Sequence, residues 1–331
     1  MLGIIACQPE IIETPKPITA TEPVPEINEV STTIAPTPTE GLSGVLLVTS
    51  PESDPKSVSQ IEAALNELVG DEEPVFIIQE SITPDMITSD VKVVIGVGPN
   101  LNLVDLAATM PETIFVSVQD PSAVPFVNLH VIGDPVIERQ HQVFMAGYLS
   151  ALISEDYKVA ALVPMDTADS DMMIESFMIG AEFFCGVCNP LHPPYNDFPF
   201  WQTLSVENST SGFDPVVDNL VNYGVEVLFI PDVIASSELL SYVASLGLKV
   251  IGDGEPDLAR NNWVGTVTVD QGAALVELWP LLLSKSEGER VPGAIHLVNT
   301  DAGLVSEGRK RLFDEMTVDL QAGLVLPVSV P

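Results

Sequence analysis

The sequence predicts an α/β protein of two lobes, each built on a mainly parallel sheet covered by helices, with a hinged cleft between them. Three observations lead there. From Gly44 onward, short apolar runs alternate with amphipathic segments for almost 290 residues, the rhythm of repeated right-handed strand–helix crossovers. The strand candidates are nearly continuous Val/Ile/Leu runs, which implies burial on both faces. There are about a dozen of them, more than one twisted sheet usually carries, so two sheets are preferred.

In chain order, residues 45–49 form the first expected strand, followed by a loop over 50–55 and a helix over 56–68. Strands are expected at 75–79 and 91–97, a helix at 103–109, and strands at 113–118 and 127–132. A long helix over 136–153 leads to a strand at 158–163, a helix at 171–184 and a strand-like region around Val187. The alternation continues with a strand at 200–206, a helix at 213–223, a strand at 225–230, a helix at 235–246 and a strand at 249–252. The last elements are a strand at 264–269, a helix at 271–284, a strand at 294–298, a helix at 307–314 and a strand at 323–326. Two Rossmann-like lobes accommodate this order, and ligands in such sheets bind beyond the carboxyl ends of the strands. Facing rims of that kind make a cleft suited to a hinged binding protein.

The chain carries 12 Lys and Arg against 47 Asp and Glu, a net charge of −35, and is 46% hydrophobic. It is too apolar to be disordered throughout. A field this negative repels phosphate backbones, so nucleic acid is not an expected partner.

The first seven residues, ending in Ile4-Ile5-Ala6-Cys7, have the form of a lipobox and resemble the tail of a bacterial lipoprotein signal peptide. That resemblance makes Cys7 the expected site of lipidation and 1–7 a signal remnant, and places the protein outside the cytoplasm on a lipid anchor. A charged n-region and a full h-region are missing, which implies a start further upstream. Residues 8–40 hold seven Pro, seven Thr and six Glu, so the segment over 8–42 is expected to be an extended tether. Lipidating Cys7 leaves Cys185 and Cys188 as a pair. A structural disulfide is the favoured reading for that short spacing in an oxidising compartment, with reactive thiols second.

Further motifs carry a resemblance. Phe144-Met-Ala-Gly147-Tyr148-Leu149-Ser-Ala precedes Lys158-Val-Ala-Ala-Leu-Val163, and Phe177-Met-Ile-Gly180-Ala-Glu follows. Then come Cys188-Asn189-Pro190, Tyr223-Gly224-Val-Glu-Val-Leu-Phe-Ile-Pro and Leu246-Gly247-Leu-Lys-Val-Ile-Gly252-Asp253. In order and spacing, from residue 44 to about 290, they resemble the basic membrane protein family. These are purine-nucleoside receptor lipoproteins of ABC transporters with a type I periplasmic-binding fold. The expected lobes are 43–134 with 266–291, and 135–265 with 292–331. Read without the family, Ala146, Gly147, Ser150 and Ala151 permit close helix approach, while Phe144, Tyr148 and Leu152 fill the flanking gaps.

The resemblance also implies ligand-binding positions. Its first-strand loop corresponds to the run from Ser50 through Asp54, Lys56 and Ser57, with Val58 where the family stacks an aromatic and Ser59 where it has Asn. The same polar residues also suit the first turn of an ordinary helix, capped by Ser53 or Asp54. Asp120 and Asp253 match the carboxylates that grip ribose hydroxyls by accepting paired hydrogen bonds; solvated strand-end carboxylates are an equal reading. Gly98 and Asn100, in Gly96-Val97-Gly98-Pro99-Asn100, read equally as a ligand-facing loop or a plain turn. Tyr195, Phe198, Phe200 and Trp201 read first as a small satellite core and second as a stacking wall.

Enzyme signatures are missing from the sequence: there is no nucleophile elbow, no His-Glu-x-x-His and no phosphate loop. The four His are scattered, with His130 and His141 read as structural. No cofactor or metal is implied. The expected function is a lipid-anchored solute-binding protein that hands a small polar solute to ABC permease subunits; the alternative is an anchored sensing module of the same fold.

Overall fold

A computed structural model of the chain describes residues 44–69, 75–78, 81–165, 167–255, 262–284 and 287–328. Cys7, the signal remnant, the tether and Gln79 lie outside the described residues. The first part of the chain supplies β1 (Val45–Thr49), α1 (Pro55–Val69), β2 (Val75–Ile78), β3 (Val93–Val97), α2 (Leu103–Thr109), β4 (Ile114–Val118) and β5 (Leu129–Ile132). The chain then crosses to α3 (Pro135–Ile153), β6 (Val159–Pro164), α4 (Ser170–Cys185), β7 (Phe200–Leu204), α5 (Asp214–Tyr223), β8 (Val227–Ile230), α6 (Ser237–Ser245), β9 (Lys249–Gly252) and β10 (Trp263–Asp270). A second crossing leads to α7 (Gln271–Leu283) and β11 (Arg290–Val291), and a third to β12 (Ala294–Val298) and α8 (Glu307–Gln321).

Two six-stranded sheets result, in the orders β11-β5-β4-β3-β1-β2 and β12-β10-β9-β8-β6-β7. All pairings are parallel except β10 with β12, which run antiparallel from Thr266↔Val298 to Asp270↔Ala294. The inner strands of each sheet are buried on both faces, as the apolar runs require. Along β1, Val45 and Leu47 join the core under α1 and α7, while Leu46 and Val48 join the core with Leu103 and Leu106 of α2. Along β6, Val159, Ala161 and Val163 face α3 and α4; Ala160 and Leu162 face α5 and α6.

Helix α3 is buried almost all round because it lies in the second lobe's core, against α4 and α8. Its start is set by Asp134, whose carboxylate accepts from Val136 N (3.1 Å) and Ile137 N (3.2 Å), with Pro135 at the first helical position. Gly147 of α3 and Gly180 of α4 are the point of closest approach. A Cβ at Gly147 would lie 2.2 Å from Phe177 O, and one at Gly180 2.0 Å from Phe144 O. Phe144 and Tyr148 close the sides through edge contacts with Phe183 and Phe184, at 5.9 and 5.4 Å.

Several expectations are corrected. Residues 266–270, expected with the first lobe, stay in the second sheet as the end of β10, because β12 pairs them to Asp270. No strand forms around Val187, since Gly186 (φ 71°) and Cys188 (φ 44°) turn the chain and leave Val187 76% exposed. Cys185 and Cys188 close a disulfide at that turn. Residues 323–326 form no strand either. Helix α8 instead continues to Gln321, because Phe313, Met316 and Leu320 keep a buried stripe on it, and Gly323 (φ 71°) ends it. The short β11 was not foreseen; two residues carry no periodic signal.

Residues 186–199 form a long connection from α4 into β7 rather than a wall of the cleft. Phe200 stacks on Tyr223 at 4.1 Å and Phe198 meets the same ring edge-on at 5.5 Å, the satellite-core arrangement; Tyr195 and Trp201 are exposed. The loop is held from beneath by a buried pair, Asp156 and Lys158, 2.8 Å apart. Asp156 also accepts from the backbone N–H groups of Leu191 and His192.

Candidate functional site

The carboxyl ends of β1 and β4 face the start of α3 and the end of β10 across a cavity of about 170 Å³. Its walls come from both lobes. Asp54, Lys56 and Ser57 stand at the start of α1 and Gln119 follows β4; opposite them are Glu138, Arg139 and Gln142 of α3, with Val269 and Gln271 at the second crossing. Among the described residues, no aromatic ring lines it.

Of the residues expected from the sequence, Asp54, Lys56 and Ser57 reach this cavity. Asp54 caps α1: its Oδ2 accepts from Ser57 N (3.1 Å) and Ser57 Oγ (2.9 Å), and its Oδ1 from Lys56 N (3.2 Å). The Lys56 ammonium donates to Thr268 Oγ1 of β10, so it bridges the lobes. An ammonium has three donors, and this bond uses one.

The other candidates lie around the rim. Asp253, buried after β9, accepts from Arg139 through Oδ2 and from Asp232 N (2.6 Å) through Oδ1. It therefore acts behind Arg139 and does not itself line the cavity. Asp120 lies in a neighbouring rim cavity of about 340 Å³ with Asn100 and Ser122. Its Oδ1 accepts from Ser122 N (2.9 Å) and Ser122 Oγ (2.7 Å). Ser50 and Asn100 share a third cavity of about 330 Å³, where Asn100 Nδ2 donates to Glu52 at 3.4 Å. Gly98 (φ 93°) is required by the turn itself: a Cβ there would sit 2.3 Å from Ser53 Oγ.

The sequence reading missed Gln119, Glu138, Arg139, Gln142 and Gln271. A signal for three of them was present. Glu138-Arg139-Gln140-His141-Gln142 is a polar first turn on a helix that is otherwise apolar, and side chains at i and i+4 share a face. Arg139 is ordered by several partners. It donates to Gln142 Oε1 (2.7 Å) and Asp253, and its Nε lies 3.7 Å from Asp169, the residue before α4. Gln142 Nε2 donates to Val267 O at 2.8 Å. His130 is buried and accepts from Glu289 N at 3.3 Å; burial holds its imidazole below its ordinary value, against the pull of Glu289.

Glu138 is 5% exposed. Burial pushes its carboxyl above the ordinary glutamate range and Asp134 adds to this, while hydrogen bonds from Gln271, Gly293 and Gln119 oppose it. A carboxyl raised in the folded state favours folding most below the ordinary glutamate range, and that contribution fades as pH rises through its folded value. The stability of the wild type relative to Glu138→Gln is thus expected to fall as pH rises from the ordinary glutamate range toward neutrality. Urea unfolding across that range measures it, and a difference constant with pH would contradict the assignment.

No family model matches the chain, and no curated protein matches it either. Solved structures do. A structure titled a transcriptional activator of the comK gene from Bacillus halodurans is 15% identical with a TM-score of 0.57, covering 85% of this chain and 98% of that one. An ABC transporter solute-binding protein from Conexibacter woesei is 12% identical with a TM-score of 0.56, covering 87% and 98%. One from Aeropyrum pernix is 12% identical with a TM-score of 0.50, covering 86% and 92%. The chain has a type I periplasmic-binding fold. In this fold the cavity described above occupies the seam between the lobes, beyond the carboxyl ends of the strands, where open α/β sheets bind ligands. At these identities the likeness shows the fold alone. The resemblance to the basic membrane protein family rests on the motifs.

Proposed function

We propose that the protein is a lipid-anchored, extracytoplasmic solute-binding protein, which captures a small polar solute between its lobes and presents the closed form to ABC permease subunits. The observation that carries this reading is the interlobe cavity, whose polar walls come from Lys56, Ser57 and Gln119 on one side and Arg139 and Gln142 on the other. A solute held by both walls binds the closed form better than the open one, and that difference shifts the population. Catalysis plays no part. Anchoring through Cys7 and the 8–42 tether completes the proposal.

A nucleoside is the first solute to try, on the strength of the motif resemblance; among the described residues no ring lines the cavity, so a base would be held by polar contacts. Native mass spectrometry of the purified protein tests for a carried solute, and nucleosides are then titrated against the melting transition. A ligand at a hundred times its Kd stabilises by about 2.7 kcal/mol, which reads as a shift of a few degrees. No shift with any nucleoside at millimolar concentration rejects the purine assignment; no bound small molecule of any class rejects the receptor reading.

Arg139→Ala is expected to weaken solute binding about tenfold or more, the worth of one hydrogen bond from a charged donor. Calorimetric titration of the solute found by mass spectrometry checks this. The fold shared with a protein titled a transcriptional activator keeps a second reading, a ligand-sensing module without a transport role. Stimulation of a reconstituted permease ATPase by the loaded protein separates the two. The net charge of −35 opposes direct contact with nucleic acid in either case.

A further inference from the structure

Three chain segments join the lobes: residues 133–135 between β5 and α3, residues 270–271 between β10 and α7, and residues 292–293 between β11 and β12. All three meet at one side chain. Glu138 stands in the first turn of α3, next to the first segment, and its backbone N–H donates to Asp134 O of that segment at 2.8 Å. Its Oε2 accepts from Gln271 Nε2 at 2.8 Å, on the second. Its Oε1 accepts from Gly293 N at 2.6 Å, on the third. Gln119, at the end of β4 in the first lobe, also donates to Oε2.

The backbone is shaped to admit this carboxylate. A Cβ at Gly133 would lie 2.6 Å from Glu138 Oε1, and one at Gly293 2.4 Å from the same atom. Two of the three segments thus carry glycine where the carboxylate presses on them. Other side chains secure the same segments: Arg290 donates to Gly133 O (2.9 Å), Gln60 to Val269 O (3.0 Å) and Gln321 to Gly293 O (2.7 Å). Glu138 reaches all three.

We propose that Glu138 is the positioning residue of the interlobe hinge, tying the three connections into one unit so that the lobes turn together rather than flexing at each connection. A carboxylate only accepts, so it also dictates how Gln119 and Gln271 stand. Both amides turn Nε2 toward it and Oε1 away. Both line the cavity, and Glu138 thereby sets the hydrogen-bonding face that two of the cavity's walls present.

The test needs no solute, so it can fail without touching the proposed function. Spin labels are placed through Glu112→Cys in the first lobe and Asn222→Cys in the second, both exposed sites, on a Cys7→Ser background. The wild type is expected to give one narrow interlobe distance distribution. Glu138→Ala, which leaves Gly293 N–H, Gln119 and Gln271 without their acceptor, is expected to broaden it. The Gly293 amide is expected to exchange about tenfold faster or more, as local opening there becomes easier. Glu138→Gln keeps the shape and an acceptor for Gly293 N–H, so slow exchange at Gly293 should be restored. If Glu138→Ala does not fold, the comparison is made with Glu138→Asp, whose carboxylate is one methylene short of Gly293 and should give the same broadening. A distribution and an exchange rate identical to wild type in the folded variant would overturn the proposal, even where the melting temperature falls.

Discussion

Gly180→Ala is expected to destabilise the protein by about 3 kcal/mol, the upper part of the range for overpacked cores. On propensity alone the substitution would gain about 1 kcal/mol, since Gly is the poorer helix former. Packing reverses the sign. The new methyl would sit 2.0 Å from Phe144 O, a backbone atom in the middle of α3. A backbone oxygen cannot swing aside as the end of a flexible side chain can, so the two helices must separate. Separation loosens Phe144, Tyr148 and Phe177, all buried. Gly147→Ala meets Phe177 O at 2.2 Å and should cost a similar amount. The double variant should cost less than the sum, because one separation relieves both clashes. Gly308→Ala is the control: nothing lies within 4 Å of its added Cβ, and it should change stability by no more than about 1 kcal/mol. Urea unfolding decides, and a Gly180→Ala midpoint equal to that of wild type would sink the account.

Asp156→Ala should be as damaging, about 3–5 kcal/mol, because removing one partner leaves the other charge buried. The side chains of Asp156 and Lys158 are 5% and 6% exposed. With the carboxylate gone, the Lys158 ammonium keeps among the described residues one partner, Pro193 O at 3.1 Å, and the N–H groups of Leu191 and His192 lose their acceptor. Proteolysis should then cut first within residues 188–199. The pH dependence follows from the same contacts. Burial works against ionisation of Asp156, but the bonds from Lys158 and the two backbone donors outweigh it and hold the carboxyl below the ordinary aspartate range. A lowered carboxyl stabilises above that range, and the contribution is lost as pH falls through its folded value. Wild type and Asp156→Ala should therefore converge in stability in acid. A gap that did not narrow as pH fell below the ordinary aspartate range would contradict the ion-pair origin.

Much of this architecture was legible because periodicity is a local property. Unbroken apolar runs such as Val45–Thr49 and Val93–Val97 announce strands covered on both faces, and Asp134-Pro135 announces the start of α3 before any partner is known. The errors have local causes too. The apolar residues 323–326 looked extended, but Gly323 (φ 71°) ends a helix there. The cavity was half legible. The loop after β1 was found, while Asp120 and Asp253 were placed in the cleft on resemblance and stand beside it or behind Arg139.

Patterning of single segments, decided within a few residues by side-chain size, branching and capping chemistry, determined that two double-covered sheets would form and that strand-end loops would be polar. Which groups meet was decided only by the packed molecule. Arg139 finds Asp253 across 114 residues and Glu138 finds Gly293 across 155. In a chain with 47 acids, no spacing rule singles out either carboxylate. Hydrogen bonds act over about 3 Å, and only the three-dimensional placement of the crossings brings donor and acceptor within that reach.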